Sequence, residues 1–165
     1  MNTQLTTASG YNTDRMIFSD PIKGSIAGTS PEIKFQRIYI NSKNEDGSVG
    51  ELLIPTHKCF SFGVSENTDP NTGEVTGYVF PLCLYSRTGA TPEEKEWVET
   101  FNAIVERCTQ HLLDHKEDIE QYELERSDLR KLNCLYYKKE KGQIVPGSGP
   151  TLYAKLMMDR KSRQI

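Results

Sequence analysis

A chain of 165 residues is long enough to bury one core of ordinary size and too short to expect two. Its 36% hydrophobic and 26% charged composition, with no apolar run near the roughly 20 residues that cross a bilayer, sets the expectation of a water-soluble protein without a membrane partner. The net charge of -3 hides an asymmetry, because residues 1–129 hold 11 Lys and Arg against 21 Asp and Glu while residues 130–165 hold 9 against 2. A segregated positive end fits a polyanion-binding surface, and equally a solvated one.

Taken in chain order, the first fifteen residues offer neither the early positive charge nor the apolar stretch of a secretory signal, so a chain that is not secreted is expected. Residues 1–31 are rich in Ser, Thr, Asn, Gly and Pro without an apolar period, which predicts a flexible N-terminal arm. The run IKFQRIYI at residues 33–40 and the run at 49–54 flank the turn formers Asn44-Glu45-Asp46-Gly47 and predict a hairpin. Phe60, Phe62 and Val64 alternate as on one face of a third strand, and residues 78–85 predict a fourth. Pro81 lies inside that fourth strand and cannot donate to a ladder, so an edge, a bulge or a strand end is expected near it.

Thr91-Pro92-Glu93-Glu94 is a helix start: the Thr side chain caps free N–H groups, Pro suits the first helical position, and Glu94 completes a capping box. Trp97, Phe101, Ile104, Val105, Cys108 and Leu112 then recur at three- and four-residue steps, predicting one long amphipathic helix to about Tyr122 that packs on the sheet. Residues 132–139 and 150–158 are again strand-like. The elements define an α+β protein.

Cys59, Cys83, Cys108 and Cys134 lack the paired spacing of a zinc or redox centre and are expected as reduced thiols, buried as small hydrophobes. Cys108, His111 and His115 fall at i, i+3 and i+7, which on a helix offers three ligands to a metal; the competing assignment, with His115 a satisfied core histidine on the apolar stripe, is favoured because H-L-L-D-H lacks the Glu of a zincin motif. The acidic residues from Glu117 to Glu125 suit a solvated face better than a cation site. No nucleophile elbow is present, and the loop Gly147-Ser148-Gly149-Pro150 lacks a P-loop Lys, so neither an enzyme nor a cofactor or metal is expected.

What remains is an alternation of aromatics and cations: Tyr136, Tyr137, Lys138, Lys139 and Lys141, then Tyr153 and Lys155, then Arg160, Lys161 and Arg163. Strand periodicity puts Tyr153 beside Lys155 and Tyr137 beside Lys139, with Leu152, Ala154 and Leu156 on the opposite face. Flat rings stack on unpaired bases at about 1 to 3 kcal/mol each while cations follow phosphates, so this face suits single-stranded nucleic acid. A half-exposed sheet of ordinary strand formers with lysines on its edge accounts for the same pattern.

Four segments together resemble the single-stranded-DNA-binding protein family of nucleocytoplasmic large DNA viruses, which includes giant viruses and the African swine fever virus. They are Cys59-Phe60-Ser61-Phe62-Gly63-Val64, Gly77-Tyr78-Val79-Phe80-Pro81-Leu82-Cys83-Leu84, the Thr91-Pro92-Glu93-Glu94 start with Phe101, and Gly149-Pro150-Thr151-Leu152-Tyr153-Ala154-Lys155-Leu156. The resemblance implies a β-rich core of the oligonucleotide/oligosaccharide-binding (OB) type with helical insertions, forming a single domain over residues 32–165, without enzymatic activity. It implies action on single-stranded DNA in viral replication, recombination or repair, in the host cytoplasm or the virion, and it carries a binding role to Tyr153 and Lys155. Family members continue with further strands where this chain stops at Ile165, which implies an open barrel whose edge is covered by another copy or by viral replication or virion proteins. The rival expectation is a viral structural or adaptor protein that docks partners through that open β edge.

Overall fold

The computed structural model describes residues 1–157, so Arg160, Lys161 and Arg163 lie outside the described residues. The strands β1 (Met16–Phe18), β2 (Ile22–Ile26), β3 (Ile33–Arg37), β4 (Ile40–Lys43), β5 (Val49–Glu51), β6 (Ser65–Thr68) and β7 (Val75–Cys83) precede the helix α1 (Pro92–Asp114). After it come β8 (Leu135–Tyr136), β9 (Lys139–Glu140), β10 (Gln143–Ile144) and β11 (Thr151–Leu156). The α+β class is as the sequence predicts. The strands, all paired antiparallel, form four separate open sheets, and none closes into a barrel among the described residues. The chain divides into two compact units, Met1–Pro55 with Glu99–Leu132 and Thr56–Val98 with Asn133–Ile165, where one domain was expected. The helix supplies residues to both.

The first unit holds a three-stranded sheet of order β1-β4-β5 and a separate β2-β3 ribbon. The predicted turn joins β4 to β5, with Gly47 at φ 82° and its N–H donating to the Asn44 carbonyl at 3.1 Å. The predicted strand at 33–40 is interrupted at Ile38 and Tyr39, and its first part pairs with β2 rather than with 49–54. The N-terminal segment, expected as an arm, is instead tied into the sheet. Asn2 donates to the Val49 carbonyl and Thr6 to the Leu53 carbonyl, while β1 and β2 arise from residues 16–26. Gly50 makes this docking possible, since a Cβ there would stand 2.3 Å from the Asn2 carbonyl oxygen.

The second unit contains the four-stranded sheet of order β6-β7-β11-β8. Its buried apolar side chains are Pro81, Leu84, Trp97, Val98, Leu135 and Pro150, and Glu94 is buried with them. Pro81 sits in the central strand at no cost to the ladder. Cys83 donates across to Phe60 on the β6 side, so by alternation the missing N–H of Pro81 also faces that side, where β6 pairing has already ended at Val79. The helix begins as predicted: Glu94 N–H donates to Thr91 Oγ1 at 3.2 Å and Thr91 N–H to Glu94 Oε2 at 2.9 Å. It ends at Asp114 rather than near Tyr122, because Asp114, Glu117, Asp118 and Glu120 crowd negative charge onto the negative end of the helix dipole.

Candidate nucleic-acid interface

The strand β11 is half polar by alternation, and the register shows where each side goes. Thr151 pairs with Cys83 of β7 and Tyr136 of β8, and Tyr153 and Lys155 pair with Pro81 and Val79. Directly paired residues share a sheet face, so Tyr136, Thr151, Tyr153 and Lys155 project to one side while Leu135, Leu152, Ala154 and Leu156 project to the other. Tyr136 and Tyr153 meet edge to face with ring centroids 6.0 Å apart and remain 61% and 48% exposed. Exposed rings held in one geometry have little conformational entropy left to lose when a base stacks on them. The aliphatic stem of Lys155 lies over Gly77, 3.9 Å from where a Cβ would sit, and its exposed ammonium continues the aromatic row.

The other cations do not join this face through one strand. Residues 137–138 interrupt the extended run, leaving Tyr137 half-buried, so the expected Tyr137–Lys139 strand face is absent. Lys139 belongs instead to the β9–β10 hairpin, a separate two-stranded sheet whose tight turn places Lys141 at φ 51° and Gly142 at φ 80°. Lys138 at its base is 3.5 Å from Glu140, which offsets part of its charge.

The same sheet face carries residues that the sequence pattern assigned to a third strand. Phe60, Phe62 and Val64 precede β6 rather than forming a strand, and all three are exposed. Phe60 bridges antiparallel to Cys83, which puts it on the side of Thr151, Tyr136 and Tyr153. Its ring meets Phe62 edge to face at 5.0 Å, and the Arg87 guanidinium lies 4.4 Å from the Phe60 centroid and 5.7 Å from that of Phe62. Alternating aromatics look alike in a core strand and on an open face, and Arg87, 25 residues beyond Phe62, comes to them only in the fold.

The helix residues weighed as metal ligands are arranged otherwise. His111 is half-buried and stacks on Phe18 at 4.0 Å, while His115, expected in the core, is exposed, stacks on His111 at 4.1 Å and is satisfied by the His111 carbonyl. Among the described residues, no three His, Cys, Asp or Glu side chains gather closely enough to hold a metal. All four cysteines are free thiols, but none is fully buried: Cys134 is exposed and the others are half-buried. Burial pushes the Cys59 and Cys108 thiols up, away from the reactive thiolate. No described helix is long and apolar enough to cross a membrane.

Fold and surface thus define an α+β protein with an open four-stranded sheet that displays rings and cations. Over residues 10–165 the chain belongs to the family described as "Protein of unknown function (DUF2738)". It is similar to the "Early 31 kDa protein" of Frog virus 3 (isolate Goorha), being 27% identical over 161 residues that cover 93% of this chain and 57% of that protein. The chain therefore spans little more than half the length of this relative. No solved structure gives a significant match. Family and relative together support a protein of large DNA viruses, located in the host cell or the virion.

Proposed function

We propose that this chain is a non-catalytic single-stranded-DNA-binding protein acting in viral DNA replication, recombination or repair. The observation that supports this reading is the exposed Tyr136–Tyr153 ring pair continued by Lys155 on one face of the second unit's sheet. Such a face suits unpaired bases, since rings already stacked inside a duplex cannot also lie on tyrosine, and an ammonium beside the rings matches the phosphate that follows each base. The "early" in the name of the frog virus relative accords with a part in genome replication. The test is a fluorescence anisotropy titration with labelled single-stranded oligonucleotide at several salt concentrations. Binding is expected to weaken with salt, and Tyr153→Ala is expected to cost about 1 to 3 kcal/mol. Indifference to both Tyr153→Ala and Lys155→Ala would remove this face from the function.

A second reading has its own observation. The β8 ladder covers only Thr151 and Leu152, so the rest of that β11 edge has no strand partner among the described residues. An open edge accepts a strand from another chain, as a viral structural or adaptor protein would use it. Sedimentation showing stable self-association, together with no DNA binding, would favour it.

A further inference from the structure

The pairing register places one row of residues from the Phe60 bridge, just ahead of β6, across β7 and β11 to β8. Phe60 bridges to Cys83, Cys83 pairs with Thr151, and Thr151 pairs with Tyr136. The row therefore begins and ends on an exposed aromatic ring, and each end carries a second ring, Phe62 beside Phe60 and Tyr153 beside Tyr136. Phe60 is 48% exposed and Phe62 is 76% exposed. Two large rings left in water cost hydrophobic free energy unless something covers them.

Arg87 indicates the kind of molecule that covers them. It makes no ion pair among the described residues, and its guanidinium carbon lies over the Phe60 ring with Phe62 nearby, so its charge is open to a phosphate. A guanidinium held on a ring is one of the few groups that can stack on a base and bind a phosphate at the same time. An apolar peptide would satisfy the rings and strand this charge.

We infer that Phe60, Phe62 and Arg87 form a second base-stacking platform, and that a single DNA strand crosses the sheet perpendicular to its β-strands from this platform to the Tyr136–Tyr153 pair. This rests on the strand-binding reading above and adds a path and a minimum length to it. Three interstrand spacings of about 4.8 Å separate the ends of the row, about 14 Å in all, which at about 3.4 Å per stacked nucleotide corresponds to roughly four nucleotides. A shorter strand reaches one platform only.

The experiment compares an oligodeoxythymidylate decamer with a dinucleotide on wild type, Phe62→Ala, Arg87→Ala and Tyr153→Ala. Thermal melts confirm that each variant folds. Phe62→Ala and Arg87→Ala are each expected to weaken the decamer roughly five- to tenfold and to leave the gain from dinucleotide to decamer correspondingly smaller. Phe62→Trp supplies a direct reading, because Trp97 is only 6% exposed, so new emission that the decamer quenches comes from the platform. Decamer binding that is weakened by Tyr153→Ala but untouched by both Phe62→Ala and Arg87→Ala, with no quenching, would overturn the second platform and leave the first. A wild-type chain that binds neither oligonucleotide would overturn both.

Discussion

Glu94 shows how much a single side chain can organise. Its carboxylate accepts from the Ser86 hydroxyl, from the Ser86 N–H at 3.0 Å and from the Thr91 N–H at 2.9 Å. These bonds, the Ser86 hydroxyl foremost, hold the carboxyl below its ordinary value, so its contribution is present above pH 4.5 and fades on acidification below it. The cap itself can be tested without touching that charge: Thr91→Ala removes the acceptor for the Glu94 N–H and is expected to lower stability by about 1 kcal/mol in urea unfolding. His111 titrates in a different range. Burial, then repulsion from His115 and Arg107, lowers its pKa from the ordinary 6.5, against the pull of Asp114 and Asp118. The folded chain thus takes up a proton on this ring less readily than the unfolded chain, whose histidine titrates near 6.5, so stability falls as pH drops through that value. His111→Phe keeps a ring against Phe18 and cannot titrate. Its melting temperature is expected to lose the part of the wild type's decline that sets in as pH falls through 6.5, and an unchanged decline would assign it to other groups.

At the scale of elements, what the sequence made legible was what short-range chemistry decides. The Thr91–Glu94 box, the turn at Gly47 and the alternation of β11 each depend on neighbours within a few positions, and each is found where expected. Strand partners are a different matter. Nothing within residues 33–37 says that they pair with 22–26, because the partner lies in a polar stretch whose own strand character appears only after pairing. The candidate site divides the same way: alternation found Tyr153 with Lys155, whereas bringing Tyr136 beside them, and Phe60 onto their face, required the register of four strands. The β9–β10 hairpin is not legible in the sequence because its turn begins with a lysine. Lys141 at φ 51° followed by Gly142 at φ 80° is a conformation that Asn-Gly adopts with less strain. Lys141→Asn is therefore expected to leave the fold intact or raise stability by a few tenths of a kcal/mol, while removing one exposed cation. If that lysine touches DNA, affinity falls in low salt even as the melting temperature holds; a melting temperature that drops would mean the lysine side chain supports the hairpin.

For the whole molecule, the net charge of -3 and isoelectric point near 5.7 mean that long-range electrostatics does not draw a polyanion in. Binding must come from charges within about 8 Å of the strand, the screening length at physiological salt. The salt dependence of affinity counts those charges. Each cation that neutralises a phosphate on a single strand contributes about -0.7 to the slope of log affinity against log salt. Lys155 and Arg87 alone, the two cations beside the exposed rings, predict a slope of about -1.4. Adding Lys139 and Lys141 of the hairpin with Arg160, Lys161 and Arg163 of the C-terminal end makes seven cations and a slope near -5. Lys141→Asn then becomes a local probe within the global measurement, since it should flatten the slope by about 0.7 only if the hairpin lies along the strand. A steep slope that Lys141→Asn flattens would join hairpin and sheet face into one binding surface. A slope near -1.4 that it leaves unchanged would confine contact to the sheet, making stacking on the rings the main source of affinity, and a slope near zero would mean that phosphates are not engaged and would sink strand binding by this face.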